Sequence, residues 1–336
     1  MWQSVFFNPE WQVLRSGWRL LLFASLVFFA FLFVSRVIVP RLLRPLVTST
    51  PLSTSARGVT LEGMAYGLVA AFVLGSLYFM VTQIERRSLD SLGMIWNTDF
   101  RADLLVGLAL GAVLPGGVVG VMLAMNWAKI AGGFVNPEGM AFLPGVIALV
   151  LIYICVGFWE ELAFRVYLLP TLAQGWNTTA IGPSLALVLA LLATSIPFGL
   201  AHLFNKDATP TAALMIAMAG VMLGLGFILT GRPALGIGLH IAGNIMQALL
   251  GVTGADSTFE QTRFFKLEFT GPTIWTGGKY GTEAGLLSLV FVVISVALML
   301  GYVSLRYGAL PIQTSLAEFP RSTVQLLKNV NPPESK

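Results

Sequence analysis

The sequence contains little charge. Charged residues make up 11% of its 336 residues, whereas a soluble globular domain has roughly 25%. Hydrophobic residues reach 56%, and the mean hydropathy is +0.80. This composition excludes a soluble globular domain and predicts a multi-pass protein of the cell membrane. The net charge is +4, but the basic residues lie mostly in loops and helix flanks. We therefore expect the lipid bilayer as a partner, and no nucleic acid.

Cysteine is almost absent as well. The one cysteine, Cys155, lies in an apolar run and excludes an internal disulfide and a thiolate metal cluster. The chain has no HExxH motif and no GxSxG motif, and the apolar stretches of 142–251 contain no Asp. These absences disfavour the usual zinc-protease arrangement and the serine and aspartyl hydrolases.

What the sequence does contain is apolar runs of about 20 residues, long enough to span a bilayer. None alternates as barrel strands do, so helices are expected. The predicted fold class is all-α, a polytopic transmembrane bundle of about eight helices. The runs lie near 18–39, 62–83, 104–126, 142–169, 182–204, 210–230, 233–251 and 284–305. The first has no cleavage site after it and is expected to stay as a helix. Glycine pairs such as Gly107 and Gly111 have the spacing of closely packed membrane helices.

Three charges interrupt the most apolar part of the chain. Between Glu138 and Lys206 the only charged residues are Glu160, Glu161 and Arg165. Glu161 and Arg165 are four residues apart, so they share a helix face and can form an ion pair. Glu160 is rotated by about 100° and has no partner in its own helix. Because a lone carboxylate in a bilayer is costly, Glu160 must be protonated, face a water-filled cavity or meet a polar group of another helix.

The two histidines of the chain also lie in apolar helices. His202 follows Phe198 by one turn, and His240 precedes Asn244 by one turn on the same face. Polar residues within a membrane bundle face its interior. We therefore predict that Glu160, His202, His240 and Asn244 converge on one water-accessible cavity.

The motifs EELAFR, FGLAH and HIAGN follow one another on successive apolar helices. In this order they resemble the EExxxR, FxxxH and HxxxN pattern of the intramembrane CAAX-prenyl-protease and bacteriocin-processing family, also called Abi or type II CAAX endopeptidases. The resemblance covers about 142–251. It implies a polytopic endopeptidase that cleaves a membrane-embedded or lipid-anchored protein or peptide.

The apolar runs and polar stretches divide the chain into four parts, of which the resemblance covers the second. We expect N-terminal transmembrane helices and loops in 1–141, a protease-like core in 142–251, a polar extramembrane loop in 252–283, and a last helix with a loosely held polar tail in 284–336.

Hydrolysis of a peptide requires an activated water and donors for the oxyanion. Glu160 is suited to take a proton from water, and His202 to hold that water or protonate the leaving amine. His240 and Asn244 are suited to donate hydrogen bonds to the oxyanion. Glu161, Arg165 and Phe198 would have supporting roles. In the alternative, Glu160, His202 and His240 bind zinc with an open position for water. The residues leave both mechanisms open.

Two other functions remain open on the sequence alone: a non-proteolytic membrane scaffold or bacteriocin-immunity protein, and a transporter that couples protons through Glu160. A geometric difficulty also remains for the protease. With simple spans at 142–169 and 182–204, Glu160 and His202 would lie at different depths. A helix break near Gly157, or a tilted helix that continues to Pro170, would bring them level.

Overall fold

The computed structural model describes residues 5–9, 11–253 and 257–320. Each predicted span corresponds to a helix, which confirms the all-α membrane bundle. Among the described residues, seven helices are long and apolar enough to cross a membrane, and an eighth, Ala234–Leu250, is shorter, with 17 residues. The helices are α1 Ser16–Thr48, α2 Thr54–Ile84, α3 Thr98–Ala124, α4 Phe142–Trp176, α5 Gly182–Phe204, α6 Pro210–Thr230, α7 Ala234–Leu250 and α8 Leu286–Tyr307.

The short helix α7 lies at the centre of the bundle, with 13 of its 17 residues buried. It packs against α3, where glycines let the two backbones approach closely. A Cβ at Gly107 would lie 2.2 Å from Leu235 O, and one at Gly111 would lie 2.4 Å from Leu239 O. The spacing of this glycine pair therefore predicted a real helix contact, and that contact positions the helix that carries His240.

Helix α4 is longer than the sequence indicated. It continues to Trp176 instead of ending near 169, and it has no break at Gly157. A π-helical turn, Leu162–Leu168, follows directly after Glu161, and Pro170 lies in the first turn of the last α-helical segment, Leu169–Trp176, where proline is tolerated.

The extra length removes the difference in depth. Glu160 lies 16 residues before Trp176, and His202 lies 20 residues after Gly182. At a rise of 1.5 Å per residue, both are about 24–30 Å from the turn that joins α4 to α5. Of the two alternatives left open by the sequence, the break near Gly157 is therefore unnecessary, and the helix continues past Pro170 as in the other.

A small two-stranded sheet accompanies the helices, and no pattern in the sequence predicted it. Strand β1, Ala128–Val135, pairs antiparallel with strand β2, Arg263–Phe269, which lies within the predicted loop 252–283. The same loop then returns to the bundle, where the backbone N–H of Thr282 donates to Val252 O at 3.0 Å.

The segment after α8 is held against the bundle as far as residue 320. Leu316, Ala317 and Phe319 are buried, and Asn177 donates through Nδ2 to Ala317 O at 3.0 Å. The expectation of a loosely held tail is therefore wrong for 312–320, because apolar side chains of this part pack against the bundle. Residues 321–336 of the predicted tail lie outside the described residues.

Candidate active site

The predicted polar residues line one cavity of about 520 Å³ in the helix bundle. Its wall includes Glu160 from α4, His202 from the end of α5, and His240 and Asn244 from α7. The volume falls in the range of about 300–1,000 Å³ that small-ligand pockets occupy. The structure thus brings these four side chains together, and their part in catalysis stays a prediction.

Glu161 lies behind this wall and is fully buried. Its Oε1 accepts from Arg165 Nη1 at 2.8 Å, which is the expected ion pair, and from His240 Nδ1 at 2.9 Å. Because a carboxylate only accepts, Nδ1 of His240 must carry a proton. Arg165 also donates to Gly220 O at 3.0 Å. Glu161 therefore fixes the orientation of two side chains from different helices.

Glu160 points from the same helix toward the other ring nitrogen of His240. Its Oε2 lies 3.6 Å from His240 Nε2, and its side chain is 12% exposed. The imidazole of His240 thus spans the two adjacent glutamates. The sequence analysis grouped His240 with Asn244 as an oxyanion donor and did not predict this contact, which depends on how α4 and α7 are rotated toward each other.

His202 is oriented by its own helix. Its Nδ1 donates to Phe198 O at 2.8 Å, which leaves Nε2 as the nitrogen available to another group. The Phe198 ring packs against three polar groups: the guanidinium carbon of Arg165 lies 4.2 Å from its centroid, and the ring centroids of His202 and His240 lie 5.1 and 5.9 Å from it. A supporting role of Phe198 in the chemistry stays a prediction.

The possible zinc ligands do not form a ligand set. Across residues 5–9, 11–253 and 257–320, no three His, Cys, Asp or Glu side chains are placed to hold a metal ion together. The Nδ1 bonds of His240 to Glu161 and of His202 to a backbone carbonyl would leave Nε2 of each ring for a metal, so they are no obstacle to one. It is the placement of Glu160, His202 and His240 relative to one another that does not fit a metal ion.

The cavity has further polar residues that the sequence analysis missed. Gln247 lies one turn beyond Asn244 on the same face of α7, and this spacing was a usable signal. Tyr280 and Glu283 come from the end of the loop 252–283. Nothing local in the sequence marks them, because only the return of this loop to the bundle places them on the wall.

Comparison with known proteins agrees with the resemblance. Residues 142–246 match the family model described as type II CAAX prenyl endopeptidase Rce1-like. The match includes EELAFR, FGLAH and HIAGN. At the level of the family it supports a CAAX-type protease with a membrane-associated substrate, and together with the apolar helices it indicates a multi-pass membrane protein. Neither the curated proteins nor the solved structures gave a match.

Proposed function

We propose that this protein is an intramembrane endopeptidase in which Glu160 activates the attacking water. One observation carries the proposal: His240 spans Glu160 and Glu161 on the wall of a cavity in the bundle. The match to the type II CAAX endopeptidase family supports the same reaction class. A substrate anchored in the bilayer by a lipid would enter from the membrane in which the helices lie.

In the proposed reaction, Glu160 takes a proton from a water beside its Oε2, and the water oxygen bonds to the carbonyl carbon of the peptide. The carbonyl oxygen becomes an oxyanion, to which Asn244 donates from its amide. The C–N bond then breaks, and the amine leaves with the proton that Glu160 took from the water, delivered directly or passed on through His202. The sum is one water consumed for one peptide bond broken.

Glu161 and Arg165 support this chemistry from outside the cavity wall. Their ion pair reduces the cost of burying both charges, and the second bond of Glu161 holds the His240 ring in place. Because Nδ1 of His240 donates to Glu161, only Nε2 can interact with Glu160 or the water. This division gives the two adjacent glutamates different tasks.

The test is hydrolysis by the protein in lipid nanodiscs of a quenched fluorescent peptide that carries a prenylated CAAX motif. Glu160→Gln keeps the shape and removes the base. It should lower kcat by at least about a hundredfold, the usual contribution of a general base, and leave the melting temperature near that of the parent. Glu138→Gln, at an exposed loop position, is the matched control and should change neither. Equal cleavage by Glu160→Gln and the parent would exclude Glu160 as the base, and no cleavage by the parent of any peptide offered would contradict the protease.

A further inference from the structure

The segment before α8 brings an additional carboxylate, Glu283, onto the cavity wall. Its neighbours Thr282 and Ala284 are buried. The N–H of Thr282 donates to Val252 O at 3.0 Å, and its carbonyl accepts from Ser288 Oγ at 2.6 Å. Glu283 therefore directly follows a residue whose backbone is bonded both to the chain just after α7 and to the first turn of α8.

The environment of Glu283 opposes its charge. Burial raises the pKa of this carboxyl above its ordinary value, and the nearby histidines and a side-chain hydrogen bond from Gln247 offset the effect only in part. Those histidines are His202 and His240. A carboxylate in such a place gains when a cationic group comes next to it. Glu283 is thus suited to receive a positive charge from a ligand.

The other residues that line the cavity also favour a cationic ligand that donates hydrogen bonds. Among the described residues it includes three carboxylates, Glu160, Glu260 and Glu283, and one lysine, Lys206. With both histidines neutral, the net formal charge of the lining is −2. Glu260 is already bonded to Tyr153 OH at 2.5 Å, so Glu283 and Glu160 remain to meet a ligand.

Within the part of the chain that the structure describes, several buried polar atoms of the lining have no hydrogen-bond partner. Glu160 Oε2 and Gln247 Oε1 only accept, Ser295 Oγ can accept or donate, and Trp159 Nε1 only donates. Ser295 is completely buried. Because unpartnered buried polar atoms are costly, this excess of acceptors fits a ligand rich in N–H groups.

We infer that the cavity selects peptides with a lysine or arginine side chain near the cleaved bond, and that Glu283, held by Gln247, is the residue that recognises this charge. The inference rests on the proposed function for the peptide nature of the ligand. An ammonium or guanidinium group supplies the donors that the lining lacks, and its charge offsets the cost of ionising Glu283. Glu283 comes from outside the residues that match the family model, so it is a feature of this chain's own loop.

The experiment uses prenylated peptide pairs that contain either lysine or acetyl-lysine at one of three positions on each side of the cleaved bond. Acetylation removes the charge and keeps most of the shape. The protein is placed in nanodiscs of zwitterionic lipid, so that the membrane surface does not select cations. The parent, Glu283→Gln and the exposed control Glu268→Gln are compared by kcat/KM and by peptide binding, measured by fluorescence anisotropy against empty nanodiscs.

At one position or more, the parent should prefer lysine by about tenfold or more, the ratio expected for a partly desolvated charge pair. Glu283→Gln should bring this ratio close to one, whereas Glu268→Gln should keep it. Cleavage without a preference for charge, or a preference that survives in Glu283→Gln, would overturn the inference and leave the protease intact. If no peptide is cleaved, the proposed function fails, and a lysine preference in binding that Glu283→Gln removes would still support recognition by Glu283.

Discussion

His240 donates through Nδ1 to Glu161 at 2.9 Å, although 79 residues separate them in the sequence. The bond joins α4 to the central helix α7. The same oxygen of Glu161 accepts from Arg165, and its second oxygen has no partner in the described residues. One buried carboxylate therefore organises the base of the cavity wall, and its removal should affect stability before chemistry.

Glu161→Ala should lower the free energy of unfolding by about 3–5 kcal/mol, because it leaves the buried guanidinium of Arg165 without its counter-ion. The measurement is thermal unfolding in detergent. The matched control is Asp99→Ala, which breaks the ion pair with Arg306 whose side chains are 40% and 43% exposed. That change should cost less than about 1 kcal/mol. Similar losses of unfolding free energy in the two variants would show that the buried ion pair of Glu161 and Arg165 stabilises the fold no more than an exposed pair does.

A substitution can separate the roles of the two ring nitrogens of His202. In His202→Asn, the side-chain amide can replace Nδ1 as the donor to Phe198 O, and nothing replaces Nε2. We expect kcat to fall by about a hundredfold or more with an unchanged melting temperature, because proton transfer contributes on that scale. Phe198→Leu removes the ring and keeps the backbone carbonyl. We expect this variant to have a lower melting temperature. Normal kcat in His202→Asn would contradict a role for Nε2.

Local spacing predicted part of this site. Glu161 and Arg165 are one turn apart on a single helix, so their ion pair followed from the sequence. The three motifs also predicted that four polar residues share a cavity. The contact of Glu161 with His240 could not be predicted, because it depends on the rotation and depth of two helices that are distant in the chain.

The fold was predictable to a similar degree. Hydropathy indicated every long helix, since length and apolar content alone define a span. The sheet was missed because β1 and β2 are more than a hundred residues apart and each lies beside strong helix signals. Glu283 was missed because a polar loop has no periodic pattern that shows where it returns to the bundle.

Glu85 should make stability depend on pH. Burial alone would raise the pKa of this carboxyl, but Arg87, Arg19 and the hydroxyl of Tyr167 outweigh it and hold the pKa below its ordinary value. Since the pKa is lower in the folded state, the stabilisation is present above the unfolded pKa of about 4.3 and is lost as the pH falls through the folded one. The unfolding free energy of the parent should therefore decrease below about pH 4.

Glu85→Gln provides the comparison, because glutamine keeps the shape and cannot ionise. Its stability deficit should be largest near pH 7 and should shrink as the pH falls. Unfolding curves between pH 3 and pH 7 measure this, with Glu138→Gln as the exposed control. A deficit that stays constant over the whole range would contradict the assignment to Glu85.

Phe319 holds the segment after α8 against the helix bundle. Its buried ring lies 5.6 and 5.5 Å from the guanidinium carbons of Arg19 and Arg87 and stacks on Trp11 at 5.4 Å. Phe319→Ala should cost about 3–5 kcal/mol and make the segment sensitive to proteases. Phe204→Ala, at a ring that is 93% exposed, should change neither. Unchanged protection in Phe319→Ala would show that the ring does not hold the segment.

Two glycines of α3 differ in the space around their Cα atoms. A Cβ at Gly111 would lie 2.4 Å from Leu239 O and 2.8 Å from Gly243 N, whereas a Cβ at Gly116 meets nothing within 4 Å. Gly111→Ala should therefore push α7 away, displace His240, and lower both melting temperature and activity. Gly116→Ala should be neutral or stabilising by up to about 1 kcal/mol, since alanine favours a helix. Thermal unfolding and peptide cleavage measure both variants, and a tolerated Gly111→Ala would mean that α3 and α7 are not in close contact beside the site.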